Sequence, residues 1–180
     1  MGRARTLAAI SLIAVTCTAQ GALAQNGTAA PNCSGPNAGL PEALAGWAKS
    51  PVPVSTAHDS AEALRRSVPF GQRVTLALAN TDTMKFAHQP TEQMPKQYVY
   101  SGMISFHVPQ DGAYSVMISE ANWIDVVQNG QPIQSLDMRG RVPCAKYGKK
   151  IDFPLKAGEA IVQFFGAPYD AVDVLIAPVR

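Results

Sequence analysis

The chain has 180 residues and a formal net charge of +2. That is the size of one domain, without the global charge that holds nucleic acid or an anionic membrane surface. Its three cysteines have no nearby second cysteine or histidine, which argues against a zinc framework.

The first 24 residues read as a secretory signal peptide. Arg3 and Arg5 form a basic start, residues 7–15 form a short apolar run, and Ala22-Leu23-Ala24 supplies a small-residue cleavage site before Gln25. The apolar run is too short to span a membrane, so the mature chain is expected to have no transmembrane segment. Thr16 before Cys17 fits a lipid-attachment pattern poorly, so no lipoprotein anchor is expected. Removing the two arginines brings the formal charge to 0 and leaves Cys33 and Cys144. An even cysteine count in an exported chain predicts one disulfide, with two separate thiols as the alternative.

Residues 25–69 read as an N-terminal arm. Leu40 to Trp47 predicts one helical turn, with Pro41 at its first position, Gly46 as its stop, and Leu44 and Trp47 as an anchor. Pro51-Val52-Pro53-Val54 reads as an extended, Pro-rich connector. Residues 60–66 are short for a helix and read as a turn beside a sheet edge.

Residues 70–180 carry the β pattern. Val74, Leu76 and Leu78 alternate with small or polar neighbours, and residues 84–86 and 97–101 suggest short strands. The clearest stretch covers residues 106–133. Ile104, Phe106 and Val108 share one parity, as do Tyr114, Val116 and Ile118, and then Trp123, Asp125 and Val127. Asn129-Gly130 is a hairpin signal, because both central positions of a type I′ turn need positive φ. A long loop over residues 135–150 follows, then strands at 151–155, 160–165 and 171–177. About eight short strands without crossover helices predict an all-β fold, a single antiparallel sandwich of jelly-roll-like form.

Three groups of side chains are candidates for chemistry. Trp123 and Asp125 share a strand face, as in sugar-binding faces where a ring stacks on the pyranose and a carboxylate takes hydroxyl protons. The competing and preferred expectation puts Trp123 in the core. The run Arg139, Arg141, Lys146, Lys149 and Lys150 holds five cations and no acid within residues 139–150, a pattern that can receive an anion. His58, His88 and His107 show no HxH or HxxxH spacing, so no metal or other cofactor is expected. Two of them joined to Glu92 or Glu120 would form the alternative, a facial triad for Fe2+. There is no nucleophile elbow, phosphate loop, HExxH or CxxC.

Three spans also carry a resemblance: Cys33 with Leu40 to Trp47, Gly112-Ala113-Tyr114 through Trp123 to Val127, and Cys144 followed by Lys149 to Leu155. Together they resemble a group of short exported proteins from Gram-negative, mainly alphaproteobacterial, genomes, many of which carry the label homogentisate 1,2-dioxygenase. That label implies a non-haem iron site of two His and a Glu, and this chain has no motif to which those ligands map. Relatives have a His-rich segment before the second cysteine, where this chain reads Met138-Arg139-Gly140-Arg141-Val142-Pro143. At the level of fold alone, residues 108–114 and 155–160 are similar to carbohydrate-binding and prepeptidase-type β-sandwich modules.

The expectation is therefore a periplasmic or secreted binding module for a glycan, another small molecule or an envelope protein. The alternatives are a small iron dioxygenase and a structural envelope protein.

Overall fold

The computed structural model describes residues 33–35, 37–120, 122–139 (backbone alone at 139) and 144–179. The expected signal peptide, Cys17 and Arg141 lie outside them. A 3-10 helix over Glu42–Ala48 opens the described fold, followed by β1 (Val52–Ser55), helix α1 (Ser60–Leu64), β2 (Val74–Ala77) and β3 (Ala79–Asn80). Then come β4 (Tyr100–Val108), β5 (Gly112–Ile118), β6 (Trp123–Gln128) and β7 (Gln131–Ile133). The last four are β8 (Asp137–Arg139), β9 (Lys149–Leu155), β10 (Gly158–Ala167) and β11 (Ala171–Pro178).

These strands form an all-β sandwich of two sheets. One runs β1-β2-β11-β5-β9-β8 and the other β3-β4-β10-β6-β7. Every pairing is antiparallel except β1 with β2, which is parallel. The chain changes sheet at each of the connections β4–β5, β5–β6, β9–β10 and β10–β11. The β6–β7 link stays within one sheet and turns at Asn129 and Gly130, with φ of 54° and 74°, as the Asn-Gly pair requires.

Alternation decides what fills the space between the sheets. Ile104, Phe106, Val116, Ile118, Val162 and Ile176 belong to one buried cluster drawn from both sheets. Full burial of such side chains stabilises by roughly 1.5–3 kcal/mol each before entropy is counted. Tyr114 joins them, and its hydroxyl donates to the Gln110 carbonyl at 2.8 Å, which pins the β4–β5 crossover.

The outer faces are covered as well. Leu44 and Trp47 pack with Met117, Tyr147 and Leu175 on the six-stranded sheet. Ala57 and Ala63 pack with Met103 and Ile161 on the other. Two hydroxyl contacts are made on the covered face of the five-stranded sheet: the Ser105 hydroxyl donates to the Ala63 carbonyl at 2.7 Å, and the hydroxyls of Thr81 and Ser101 lie 2.7 Å apart.

Several local expectations change. Residues 52–55 form edge strand β1 rather than a free connector, so the sandwich begins before residue 70. Residues 60–64 form a helix because Asp59 caps it, accepting from the Glu62 amide at 2.8 Å, while Glu62 accepts from the His58 amide at 2.7 Å. Residues 84–86 form no named strand; Lys85 makes one isolated bridge to Asp59. The expected strand at 97–101 merges into β4, which begins at Tyr100. Gly46 does not stop its helix, which continues to Ala48. A Cβ there would lie 1.9 Å from the Gly71 carbonyl oxygen, so close backbone approach demands glycine.

Cys33 and Cys144 are joined as a disulfide with Cα atoms 5.4 Å apart. Among the described residues, no helix is long and apolar enough to cross a membrane.

Candidate ligand-binding cleft

On β6 the inward positions are Ile124 and Val126, which join the central cluster. Trp123 and Asp125 therefore take the opposite parity. Trp123 is partly exposed rather than a core anchor, which corrects the preferred expectation. Both parities of Trp123-Ile124-Asp125-Val126-Val127 are largely apolar, so alternation alone did not decide which face turned inward.

The Asp125 carboxylate is fixed from two sides. The Trp123 indole donates to its Oδ1 at 3.0 Å, and the Gln163 amide donates to its Oδ2 at 3.0 Å. Gln163 stands opposite Asp125 in the β10–β6 register and is fully buried. Its side chain also accepts from the His88 amide at 3.1 Å and donates to the His88 carbonyl at 2.7 Å. One buried amide thus orients the carboxylate and holds the loop before β4 against the sheet.

The other wall comes from the opposite sheet. Lys149 starts β9 on the parity of Ile151 and Phe153, and its Nζ stands 5.6 Å from the centroid of the Trp123 ring. Among the described residues this ammonium has no hydrogen-bond or ion-pair partner. Burial lowers its pKa from the ordinary lysine value, and the charge of Asp125 acts in the opposite direction.

Between these walls lies a cleft of about 320 Å³. Ile124, Ile133, Ile151 and Phe153 give it an apolar lining, and Gln134, Ser135 and the exposed Met138 also border it. Its chemistry is an indole ring, a pinned carboxylate acceptor and a lysine donor. A hydroxylated ligand with an apolar face suits all three, since its hydroxyls donate and accept at the two charged groups and its apolar face can lie against the ring. Among the described residues the lining holds one carboxylate, so they do not form the two-carboxylate pair of glycoside hydrolysis there.

A larger groove of about 430 Å³ runs beside β1, with Arg66 as the one charged residue of its lining among the described residues. Arg66 is already paired with Glu62 at 2.7 Å and donates to the Thr56 carbonyl at 3.3 Å. The groove therefore offers less uncommitted chemistry than the smaller cleft.

Among the described residues, the side chains of the basic run do not converge on one place. Lys146 is exposed, and its backbone carbonyl accepts from the Trp47 indole at 2.9 Å. It does not line the Trp123 cleft. Arg139 ends β8, its backbone paired with Lys150. Lys150 points away from the cleft side and is held by Asp152 at 2.5 and 2.7 Å and by Ser115 at 3.2 Å. Among the described residues, the cation that reaches the cleft is Lys149. Its signal in the sequence was the alternation Lys149, Ile151, Phe153, which places it on the inward parity.

The histidines are separately engaged. His58 is exposed, with Nδ1 3.4 Å from the Thr83 hydroxyl. His88 is clamped through its backbone by Gln163, and His107 faces solvent with Glu159 at 2.7 Å. Glu92 is exposed, and Glu120 lines a different small pocket with Tyr98, Asn122 and Tyr169. Among the described residues, no three His, Cys, Asp or Glu side chains are grouped to hold a metal ion, so the alternative iron triad is not assembled from them.

Comparison of the sequence with known protein-family models and with the curated proteins finds no match.

Proposed function

We propose that this chain is an exported binding module, periplasmic or secreted, whose Trp123–Asp125–Lys149 cleft takes a glycan. The observation that carries this reading is the convergence of an aromatic ring, an oriented carboxylate and an ammonium with no hydrogen-bond or ion-pair partner among the described residues on one apolar cleft. A sugar ring has an apolar face for the indole and hydroxyls for the two charged groups. The signal-like N-terminus and the Cys33–Cys144 bridge support an oxidising compartment outside the cytoplasm. The resemblance to short exported alphaproteobacterial proteins supports the same compartment. The iron dioxygenase reading draws no support from the separate placement of His58, His88 and His107.

A glycan array followed by calorimetry on the purified mature protein tests the proposal. Hits are expected, and Trp123→Ala should weaken them at least about tenfold, roughly 1.4 kcal/mol, with the thermal midpoint nearly unchanged. An empty array, or hits indifferent to Trp123→Ala, would overturn it. Oxygen consumption with homogentisate after loading with ferrous iron should be absent, and iron-dependent turnover would restore the dioxygenase reading.

A further inference from the structure

We propose that Lys149 sets the specificity of the cleft and selects sugars that carry a carboxylate over neutral ones. This rests on the cleft being the glycan site.

The argument starts from which polar groups are already satisfied. Asp125 has a donor on each oxygen, Trp123 on one and Gln163 on the other. Its position and much of its hydrogen-bonding capacity are set by the protein. The Lys150 ammonium is enclosed by Asp152 and Ser115, and Lys156 pairs with Asp111 at 2.9 Å. Lys149 differs from both. It is half-buried against an aromatic face, borders a cleft, and has no hydrogen-bond or ion-pair partner among the described residues.

A half-buried ammonium has lost part of its water without gaining acceptors in exchange. The downward pull on its pKa by burial expresses the same deficit. A ligand that brings an anionic acceptor meets it, through charge-assisted hydrogen bonds stronger than those to a neutral hydroxyl.

The size of the charge is also constrained. Among the described residues, the cleft lining contains one cation, Lys149, and one anion, Asp125. A singly charged carboxylate matches one ammonium. A phosphate, carrying close to two charges, exceeds what one lysine offers beside Asp125 and would be repelled more strongly. Gln134 and Ser135 border the same cleft and add neutral hydrogen-bonding groups for the remaining hydroxyls. The sugar class this fits is a uronate or another carboxylated sugar, as the free sugar or as a residue of an acidic polysaccharide.

Calorimetry at pH 7 with matched probes tests this: trigalacturonate against galactotriose, and glucuronate against glucose and glucose 6-phosphate. Each carboxylated probe should bind about tenfold or more tighter than its neutral partner, and the phosphate should bind less tightly than glucuronate. Lys149→Gln should weaken the carboxylated probes by a larger factor than the neutral ones, so that the acid preference is lost, and Lys149→Arg should retain the preference. Added salt should weaken the carboxylated probes more than the neutral ones.

Neutral sugars binding as well as acidic ones would overturn the role of Lys149 and leave the glycan site standing. A preference that survives Lys149→Gln would overturn it too. Tighter binding of glucose 6-phosphate would overturn the carboxylate assignment, and no binding of any probe would overturn the site together with the inference.

Discussion

The guanidinium of Arg73 lies 4.5 Å from the centroid of the Trp47 ring, and one of its nitrogens donates to the Trp47 carbonyl at 3.0 Å. Arg73 also pairs with Asp173, and the Trp47 indole donates to the Lys146 carbonyl. Through these two residues the 3-10 helix is fastened to the outer face of the six-stranded sheet. Trp47 is almost fully buried there, edge-on to Tyr147 with ring centroids 6.4 Å apart. Trp47→Ala should cost about 3–5 kcal/mol, the range for truncating a buried tryptophan. Urea unfolding monitored by circular dichroism measures it as a lower midpoint at constant slope. A loss under about 1 kcal/mol would mean that the helix is not part of the cooperative fold.

The Cys33–Cys144 bridge spans a sequence separation of 111 residues. In the chain-entropy model a loop of that length is worth about 4–5 kcal/mol, lowered by whatever order the reduced chain retains. Replacing both cysteines by serine should therefore lower the unfolding free energy by roughly 3–5 kcal/mol, read as a lower urea midpoint. The Asn37 amide donates to the Cys144 carbonyl at 2.7 Å, so the same change should loosen the turn at residues 37–39. Limited proteolysis should cut the variant there sooner than the parent, and mass spectrometry without reduction should recover one linked peptide pair from the parent. Free thiols in the oxidised parent would contradict the bridge.

Asp111 joins two crossovers between the sheets. It accepts from the Ala157 amide and from the Lys156 ammonium, each at 2.9 Å. The Ala157 bond first, and the Lys156 bond second, hold its carboxyl below the ordinary value of 3.8. As pH falls, the unfolded chain takes up this proton before the folded one does. The stabilisation is thus complete above the unfolded value and is lost as pH drops through the folded value. Asp111→Asn should lower the melting temperature slightly at pH 7 and flatten its decline below about pH 4. An unchanged acid limb in the variant would assign that decline to other carboxylates.

Much of the sandwich was legible before the structure. Period-two alternation marked the middle strands, and Asn129-Gly130 fixed a hairpin through backbone sterics that act locally. The missing parts depend on distant partners. Pro51-Val52-Pro53-Val54 looks like a connector because its strand character comes from parallel pairing to residues 74–77, which local pattern does not encode. The Asp59–Glu62 capping pair was readable, yet α1 is so short that apolar periodicity could not announce it. In the cleft, Trp123 and Asp125 were visible as a pair, but Lys149 was hidden in a basic run whose neighbours face different ways. Gln163 was passed over because it sits in an otherwise apolar strand, and its value lies in register, directly across from Asp125.

One border of the six-stranded sheet carries a further consequence. The amides of Val52 and Thr56 donate inward to the carbonyls of Arg73 and Ala77, which turns position 53 of β1 outward. That position is proline and has no N–H to offer. An approaching strand from a second molecule would meet a gap in the ladder where its first carbonyl needs a donor. The border is therefore a poor template for fibrils or end-to-end chains.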